Sequence, residues 1–592
     1  MSNHIANKIE AKDKSLSKIL NDERFKIDVF QREYRWQRKQ IEDLISDLSI
    51  SFLGNYITGH TIDMYDTYDS YYMGPIVLCE DRGSLSIVDG QQRLTSFTLL
   101  LLYLNDLQKK LEVEENLQKD LAKYLFVNKG GKKTLILDID TRETIVKHLF
   151  ENPDTIFEED STDESVRNII ERFEDIKTLF PEDIKSKEVL PLFIEWLLYR
   201  VVLVEVKAFS MENAYTIFET MNDRGLNLSP TEMLKGYLLS KIGDEEKSFE
   251  INEFWKERIS ELRSNVGSDG DLEFFRSWLR AKYADTIRPS KQGATNEDFE
   301  IIGTQFHAWI RNNSPGKTGL ATAFDHYFFL RSDFDFFSSI YKDVYFFRIK
   351  PTEGLENIYI TNFYSIADSL AYPLYLSPIT KLDDEDIITE KIRLIGKFID
   401  VFANVRTISG KAITQSSIRT SMYELVKSIR DSEVLVLKEK LNTELQKSYD
   451  KDMPPFSPLH QMDNWGYYHY FFARVLFELQ PDVEDFNDLI RSRKQSSLII
   501  VRIFNIEEID EVDDKVSSER LVNAVAAYCL IRRYEQDVVF QKKPINRVKY
   551  LLKQGYLPEM KGYEFDENEF VNFIMERDKR LQDLTSKIWS FS

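Results

Sequence analysis

Cysteine is almost absent from this chain. Cys79 and Cys529 stand alone at opposite ends, and no Cys-x-x-Cys pair exists. A zinc knuckle and a disulfide framework are therefore excluded, and a reducing, cytoplasmic compartment is the expectation. Proline (16) and glycine (22) are sparse across 592 residues, while 42% of residues are hydrophobic and 30% charged. That composition excludes collagen, a low-complexity polymer and a disordered chain. Long apolar runs are missing too. The strongest, around Phe97 to Leu104, falls far short of the roughly 20 residues that a bilayer span needs. The N-terminus lacks a basic-then-apolar leader. No internal repeat is present, and no Gly-x-x-x-x-Gly-Lys-Ser/Thr loop.

Acid outweighs base. Lys plus Arg is 78 against 99 Asp plus Glu, a formal charge of −21. Such a surface repels nucleic acid on average but does not exclude a local basic groove, because phosphate affinity follows where cations cluster. Two clusters occur: Arg32, Arg35, Arg38 and Lys39, and the acid-free run Lys542, Lys543, Arg547, Lys549 and Lys553. Each reads either as a phosphate-contacting patch or as a solvated helix face.

At roughly 150 residues per domain the length corresponds to about three or four domains. Residues 1–110 mix helix and strand. Ile41, Leu44, Ile45 and Leu48 form one helical stripe. Gly74–Leu78 and Leu85–Asp89 read as a hairpin, followed by a helix over Leu94–Leu104. Leu198–Val206 reads as a buried strand, and Ser210 as the cap of a helix carrying Ala214, Ile217, Phe218 and Met221. Asn222–Gly225 is a stop signal. Ser229-Pro-Thr-Glu232 is a complete helix start. Residues 241–455 read as helical. Residues 456–592, after the break at Pro454–Pro458, are mixed, with a strand at Ser497–Phe504 and an amphipathic helix from Phe570 to Trp589.

Asp89-Gly-Gln-Gln-Arg93 falls where a strand turns into a helix. Gly90 permits the tight turn and a close ligand approach, the helix start favours an anion, and Arg93 offers a fork of donors to phosphate. Asp89 could hold a divalent cation or a sugar hydroxyl. The same residues could equally be a polar turn with no ligand.

Ile87-Val-Asp-Gly-Gln-Gln-Arg-Leu-Thr95 resembles the signature of the ParB-like family catalogued as domain of unknown function 262, which includes the S half of GmrSD-type modification-dependent restriction enzymes. Phe30-Gln-Arg-Glu-Tyr-Arg-Trp36, Gly74-Pro-Ile-Val-Leu78, and Ala214–Gly225 with Leu228–Lys235 resemble three further family segments, in the same order, over about 240 residues. The chain departs from the pattern at Phe30, where Tyr is commoner, and at Asp28-Val29, where a Pro is usual.

The resemblance implies an α+β protein: a ParB-like nucleotide-binding domain over 1–240, a helical middle over 241–455 and a small C-terminal domain over 456–592. It implies an NTP-hydrolysing sensor in a bacterial anti-phage or restriction system. Its substrate would be an NTP with a divalent cation, Mg2+. Its partners would be nucleic acid (DNA, modified), an effector nuclease and a second copy of the chain. Asp89, Gln91, Gln92 and Arg93 would be catalytic, with Asp89 on the metal. Gln31, Arg32, Gly90, Arg93, Asn222 and Arg224 would bind the nucleotide. Tyr34 and Trp36 line the cleft or are core aromatics, and Asn222 and Arg224 close the pocket or are a cap and a surface Arg. Arg35, Lys542, Lys543 and Arg547 are the candidate nucleic-acid contacts.

In many relatives an HNH-type nuclease, domain of unknown function 1524, follows. Phe504–Ile509, Leu521–Ala524 and the closing Glu576–Trp589 resemble it, but Glu508 stands where the catalytic His belongs, and no histidine follows His469. An HNH site needs a neutral imidazole beside a metal-bound phosphate. The region is therefore read as a nuclease-like scaffold without its base. The alternative is a nuclease with an unusual site at Glu507, Glu508, Asp510 and Asn523. A further alternative is a non-catalytic scaffold. His460 and His469 flank Asp463 without an evident third metal ligand.

Overall fold

The computed structural model describes residues 9–22, 24–27, 34–81, 84–129, 132–138, 140–155, 164–210, 213–214, 217, 229–289, 291, 293–448, 459–480, 489, 496–508, 518–565 and 570–591. The chain forms two compact units, 1–252 and 253–592. Helix and sheet are mixed, in keeping with the α+β expectation. Among the described residues no helix is long and apolar enough to cross a membrane.

The first unit is built on a six-stranded sheet. Its strands are β1 (Ile9–Ser15), β2 (Phe25–Lys26), β3 (Tyr71–Asp81), β4 (Ser84–Asp89), β7 (Leu137–Asp138) and β8 (Val201–Ala208), in the order β1-β8-β3-β4-β2-β7. Strands β5 (Phe126–Lys129) and β6 (Lys132–Leu135) form a separate hairpin. β3 and β4 pair antiparallel, as the two apolar segments around 81–84 predict. β2 runs parallel to both β4 and β7. The carboxyl ends of β2, β4 and β7 thus share one edge of the sheet, the place where open α/β sheets present ligand sites.

One face of the sheet is covered by α1 (Leu16–Asp22), α2 (Arg38–Leu53), α3 (Gln91–Lys110), α4 (Asp140–Glu151), α5 (Glu164–Leu179) and α6 (Val189–Arg200). α3 is buried almost all round from Leu94 to Leu104, as an unbroken apolar helix must be. α2 buries Ile41, Leu44, Ile45 and Leu48, the stripe read from the sequence. On the other face Val77, Cys79, Val88, Val206 and Ala208 meet Ala214, Ile217 and Met233. The strand expected from Leu198 starts only at Val201, because α6 continues to Arg200. Apolar residues on both sides of that joint hide the change of period from the sequence. Ser210 caps the next turn as expected, through Asn213 N–H to Ser210 Oγ at 3.3 Å. α7 (Pro230–Ser240) opens with the full reciprocal capping box between Ser229 and Glu232. α8 (Glu245–Val266) contains the boundary between the units.

The second unit is largely helical. It includes α9 (Gly270–Lys282), α10 (Asp298–Asn313), α11 (Asp368–Leu376), α12 (Glu385–Ile408), α13 (Gln415–Ile429) and α14 (Trp465–Leu479). Near its C-terminus β9 (Leu498–Arg502) and β10 (Tyr528–Arg532) pair antiparallel, followed by α15 (Pro544–Lys553) and α16 (Phe570–Ile588). The strand and closing helix lie where the sequence places them. Buried Asp400 of α12 accepts hydrogen bonds from Tyr470, Arg474 and Trp589. That network ties α12, α14 and the residue after α16 into one core. The break at Pro454–Pro458 lies outside the described residues.

Asp298 shows how a buried carboxylate is kept charged. It accepts from Trp309 Nε1 at 2.8 Å, the backbone N–H groups of Asp285 and Thr286 at 3.0 and 3.1 Å, and Lys317 Nζ. Burial raises its pKa, but those donors outweigh burial and hold it at about 2. A depressed carboxylate stabilises the fold above its ordinary pKa of 3.8 and loses that contribution as pH falls toward 2. Asp298→Asn should melt lower at neutral pH and show a flatter fall in melting temperature between pH 4 and 2 than wild type. Parallel acid dependences in the two proteins would contradict the assignment.

Candidate functional site

The turn from β4 into α3 is built by exclusion. Gly90 caps α3 with φ 95° and ψ 0°, the left-handed region that favours glycine. A Cβ there would lie 2.6 Å from Ile76 Cγ2. The demand for glycine therefore comes from the packing of β3 beneath the turn as well as from the turn itself. With no side chain at the cap, the first N–H groups of α3 have no intrahelical acceptor and no capping oxygen.

Arg93 is fixed from two directions. Its Nη2 donates to Asp89 Oδ2 at 3.1 Å and its Nη1 to the carbonyl of Pro75. Gly74, at φ 106°, makes room: a Cβ there would stand 3.0 Å from Arg93 Nη1. The Gly-Pro pair before the signature is thus part of the arginine's seat, a role the sequence reading gave only to a strand. Two of the five guanidinium donors are used, and both side chains are part-exposed.

Arg35 joins three separate segments. Its backbone N–H donates to Gln92 Oε1 at 2.9 Å, across 57 positions. Its Nη1 pairs with Glu232 Oε1 at 3.3 Å, across 197 positions. Glu232 also completes the capping box of α7. Arg35, expected to touch nucleic acid, pairs within the first unit and keeps its side chain part-exposed. Tyr34 is a core aromatic: fully buried, with its hydroxyl 2.8 Å from Ser96 Oγ and its carbonyl accepting from Asn168. Trp36 packs partly buried against the same core. Ser96 and Asn168 are supporting residues that the sequence reading did not pick out, and it read Glu232 only as part of a helix start.

Three buried oxygens near these segments lack partners: Gln91 Oε1, Thr95 Oγ1 one turn further along α3, and Thr231 Oγ1 in the first turn of α7. An orphaned acceptor at a helix start open to anions fits a ligand that brings its own donors. Thr95 also borders a small cavity with Leu20, Tyr124, Leu137 and Ile169. Its lining has no charged group. Gln31, Arg32, Asn222 and Arg224 lie outside the described residues.

The C-terminal candidates divide sharply. Arg547 is 2% exposed. Its guanidinium donates to the carbonyls of Ile503, Val539 and Lys542 and pairs with both carboxylate oxygens of Glu508 at 2.9 and 3.2 Å. It is an internal tie, which corrects its reading as a nucleic-acid contact. Glu508, in the position aligned with a catalytic His, is that tie's counter-charge. Asn523 accepts from Arg502 at 2.8 Å, and Asp510 lies outside the described residues. Lys543, Lys549 and Lys553 are exposed, and Lys542 lies over the Tyr550 ring at 4.7 Å. Burial lowers the pKa of His460 and of His469, whose Nε2 is 2.8 Å from the Leu489 carbonyl. Among the described residues no three His, Cys, Asp or Glu side chains cluster as a metal site.

A six-stranded sheet flanked by helices, with a helix start that lacks a side-chain cap at the end of β4, defines an α+β protein. Residues 16–239 match the family model described as the GmrSD restriction endonuclease, N-terminal domain, which supports a GmrSD-type family. No curated protein matches the chain.

Gly90→Ala should lower stability by about 1–3 kcal/mol, from left-handed strain and overpacking combined. Urea unfolding monitored by far-ultraviolet dichroism measures it. A loss below a few tenths would mean that the turn relaxes freely and Ile76 does not constrain it.

Proposed function

We propose that the first unit is an NTP-binding and NTP-hydrolysing module of a restriction system acting on modified DNA, with antiviral defence as its setting and an effector nuclease as its output. The observation that carries this reading is the meeting of Arg35, Gln92 and Glu232 at the uncapped start of α3. Three of the segments that resemble the ParB-like family thereby come together at one sheet edge. The family match over residues 16–239 supports the restriction setting.

In this reading phosphate oxygens take the first N–H groups of α3, and the remaining donors of Arg93 neutralise their charge. Gln91 Oε1 accepts from the nucleotide or from the attacking water. Asp89 already holds Arg93 and can share a divalent cation with the phosphates, since Mg2+ commonly needs only one or two carboxylates beside its waters. When bound, that cation supplies charge neutralisation on the phosphates. NTP titrated calorimetrically into wild type should bind. Arg93→Ala should bind about 10- to 100-fold more weakly, for a lost charged hydrogen bond of about 1.5–3 kcal/mol. The variant also loses its bonds to Asp89 and Pro75, so its melting temperature is measured alongside. Equal affinity in the two folded proteins, or no binding to wild type, would reduce the motif to a structural turn.

DNA contact in the second unit falls to the exposed lysines of α15. Lys549 and Lys553 share one face of the helix, Lys543 stands at its N-cap, and part-exposed Lys542 precedes it. Binding should be weak and fall steeply with salt. Neutralising Lys542, Lys543 and Lys549 together should reduce both affinity and salt slope in fluorescence anisotropy. An unchanged slope would return the stripe to plain solvation.

A further inference from the structure

In the second unit one largely buried arginine uses only one of its donors within the protein. Arg280, near the end of α9, is 8% exposed. Its Nε donates to the carbonyl of Phe299 at 2.9 Å. Neither Nη nitrogen has a hydrogen-bond partner among the described residues. A guanidinium carries five N–H donors, so four remain.

The guanidinium fits a prepared slot. On one side lies Gly303 of α10, where a Cβ would stand 2.1 Å from Nη2. On the other lies Tyr423 of α13, its ring centroid 5.5 Å from Arg280 Cζ and its ring stacked on Phe299 at 4.2 Å. Any other residue at 303 would displace the arginine, so the slot holds a cation in one place without neutralising it.

Two part-exposed arginines stand beside it. Arg276, one turn earlier on α9, gives Nη1 to Glu273 at 2.6 Å and keeps a buried Nε without a partner. Arg419, one turn before Tyr423, places Nη1 3.8 Å from Glu300 Oε1. Two carboxylates face the group, Glu273 and Glu300. Glu273 is taken by Arg276. Glu300 Oε2 accepts the N–H groups of Arg288 and Glu297 at 3.0 and 3.3 Å, while its Oε1 has no hydrogen bond. Three guanidinium groups therefore outnumber two carboxylates, and the unused capacity is mostly donors. Burial pushes the Arg280 pKa down, the mark of a cation lacking a counter-charge.

We propose that Arg280, with Arg276 and Arg419 beside it, is a phosphate-binding site. Guanidinium forks match phosphoryl oxygens in pairs, and a phosphoryl group has enough acceptors to take donors from three arginines at once. Glu300 Oε1 accepts a hydroxyl of the ligand, either on the phosphate or on an attached sugar. The phosphate belongs to a free nucleotide or to a nucleic-acid backbone. This site shares no residue with the turn at 89–93 and stands without the nucleotide reading.

The test titrates inorganic phosphate into the full-length protein by calorimetry, with ionic strength held constant by chloride. Wild type should give a saturable isotherm. The Arg276→Ala/Arg419→Ala variant, which leaves the slot intact, should bind at least tenfold more weakly, and Arg280→Met should show no saturation. Titrations with ATP and with a short single-stranded oligonucleotide then identify the source, the site serving the ligand whose binding falls in the Arg276→Ala/Arg419→Ala variant. No saturation in wild type, or equal binding by the Arg276→Ala/Arg419→Ala variant, would overturn the proposal and leave Arg280 a hydrated structural cation. Binding lost in Arg93→Ala and kept in the double variant would also overturn it, by moving the phosphate to the turn at 89–93.

Discussion

Ile76 leaves no room for a side chain at position 90, and much of the first unit follows from that contact. Because the turn must be glycine, α3 begins without a capping oxygen. Because α3 begins directly at the end of β4, Gln92 and Arg93 fall within reach of neighbouring strands. Arg93 returns to Asp89 and to Pro75, pinning the start of the helix onto both strands of the hairpin. Gln92 accepts the backbone N–H of Arg35 and so fixes a segment that arrives from β2. One position, where a Cβ would stand 2.6 Å from Ile76 Cγ2, thus sets the geometry of three chain segments. It also explains why the helix start stays polar and open while the rest of α3 is buried.

Local patterning made the scaffold of this site legible. The stripe of α2, the hairpin of β3 and β4, and the capping box of α7 are encoded within a few residues each, and their periods are unambiguous. What joins them was not legible. The Arg35–Glu232 pair spans 197 positions, and nothing near either residue names the other. Gly74 carried a readable cue, a glycine before proline inside a strand, but its purpose depends on where Arg93 lies in space. The late start of β8 was hidden because α6 and the strand are both apolar, so the period changes without any change in composition.

The C-terminal region shows a similar limit for charge. Glu508 was read as a carboxylate at a position that resembles the catalytic histidine of a nuclease family. Its role depends on Arg547, 39 positions away. A buried guanidinium needs a counter-charge, and removing one member of such a pair leaves an uncompensated ion. That requirement accounts for a carboxylate at 508 without any appeal to catalysis. It bears on this residue alone, and other side chains of the region keep whatever chemistry they have.

Arginine and lysine should not be counted alike when a basic patch is read from sequence. Among the described residues, Arg172, Arg280, Arg348, Arg474, Arg547 and Arg577 are buried, against Lys391 alone of the lysines. The planar guanidinium is weakly hydrated and can satisfy several carbonyls at once, so it enters the interior more readily than a compact ammonium. Position offered a further warning at Arg547. Pro544, Arg547, Val548 and Leu551 share one helical face, and an arginine embedded in an apolar stripe points inward with it. Lys549 and Lys553 lie on the opposite side and remain in water. The acid-free run is therefore two populations, one cation that holds the fold together and a stripe of lysines still able to meet a phosphate backbone. Arg280 belongs to neither. It is buried like Arg547 but has no carboxylate gripping it, and that difference separates an internal tie from a site that awaits an anion.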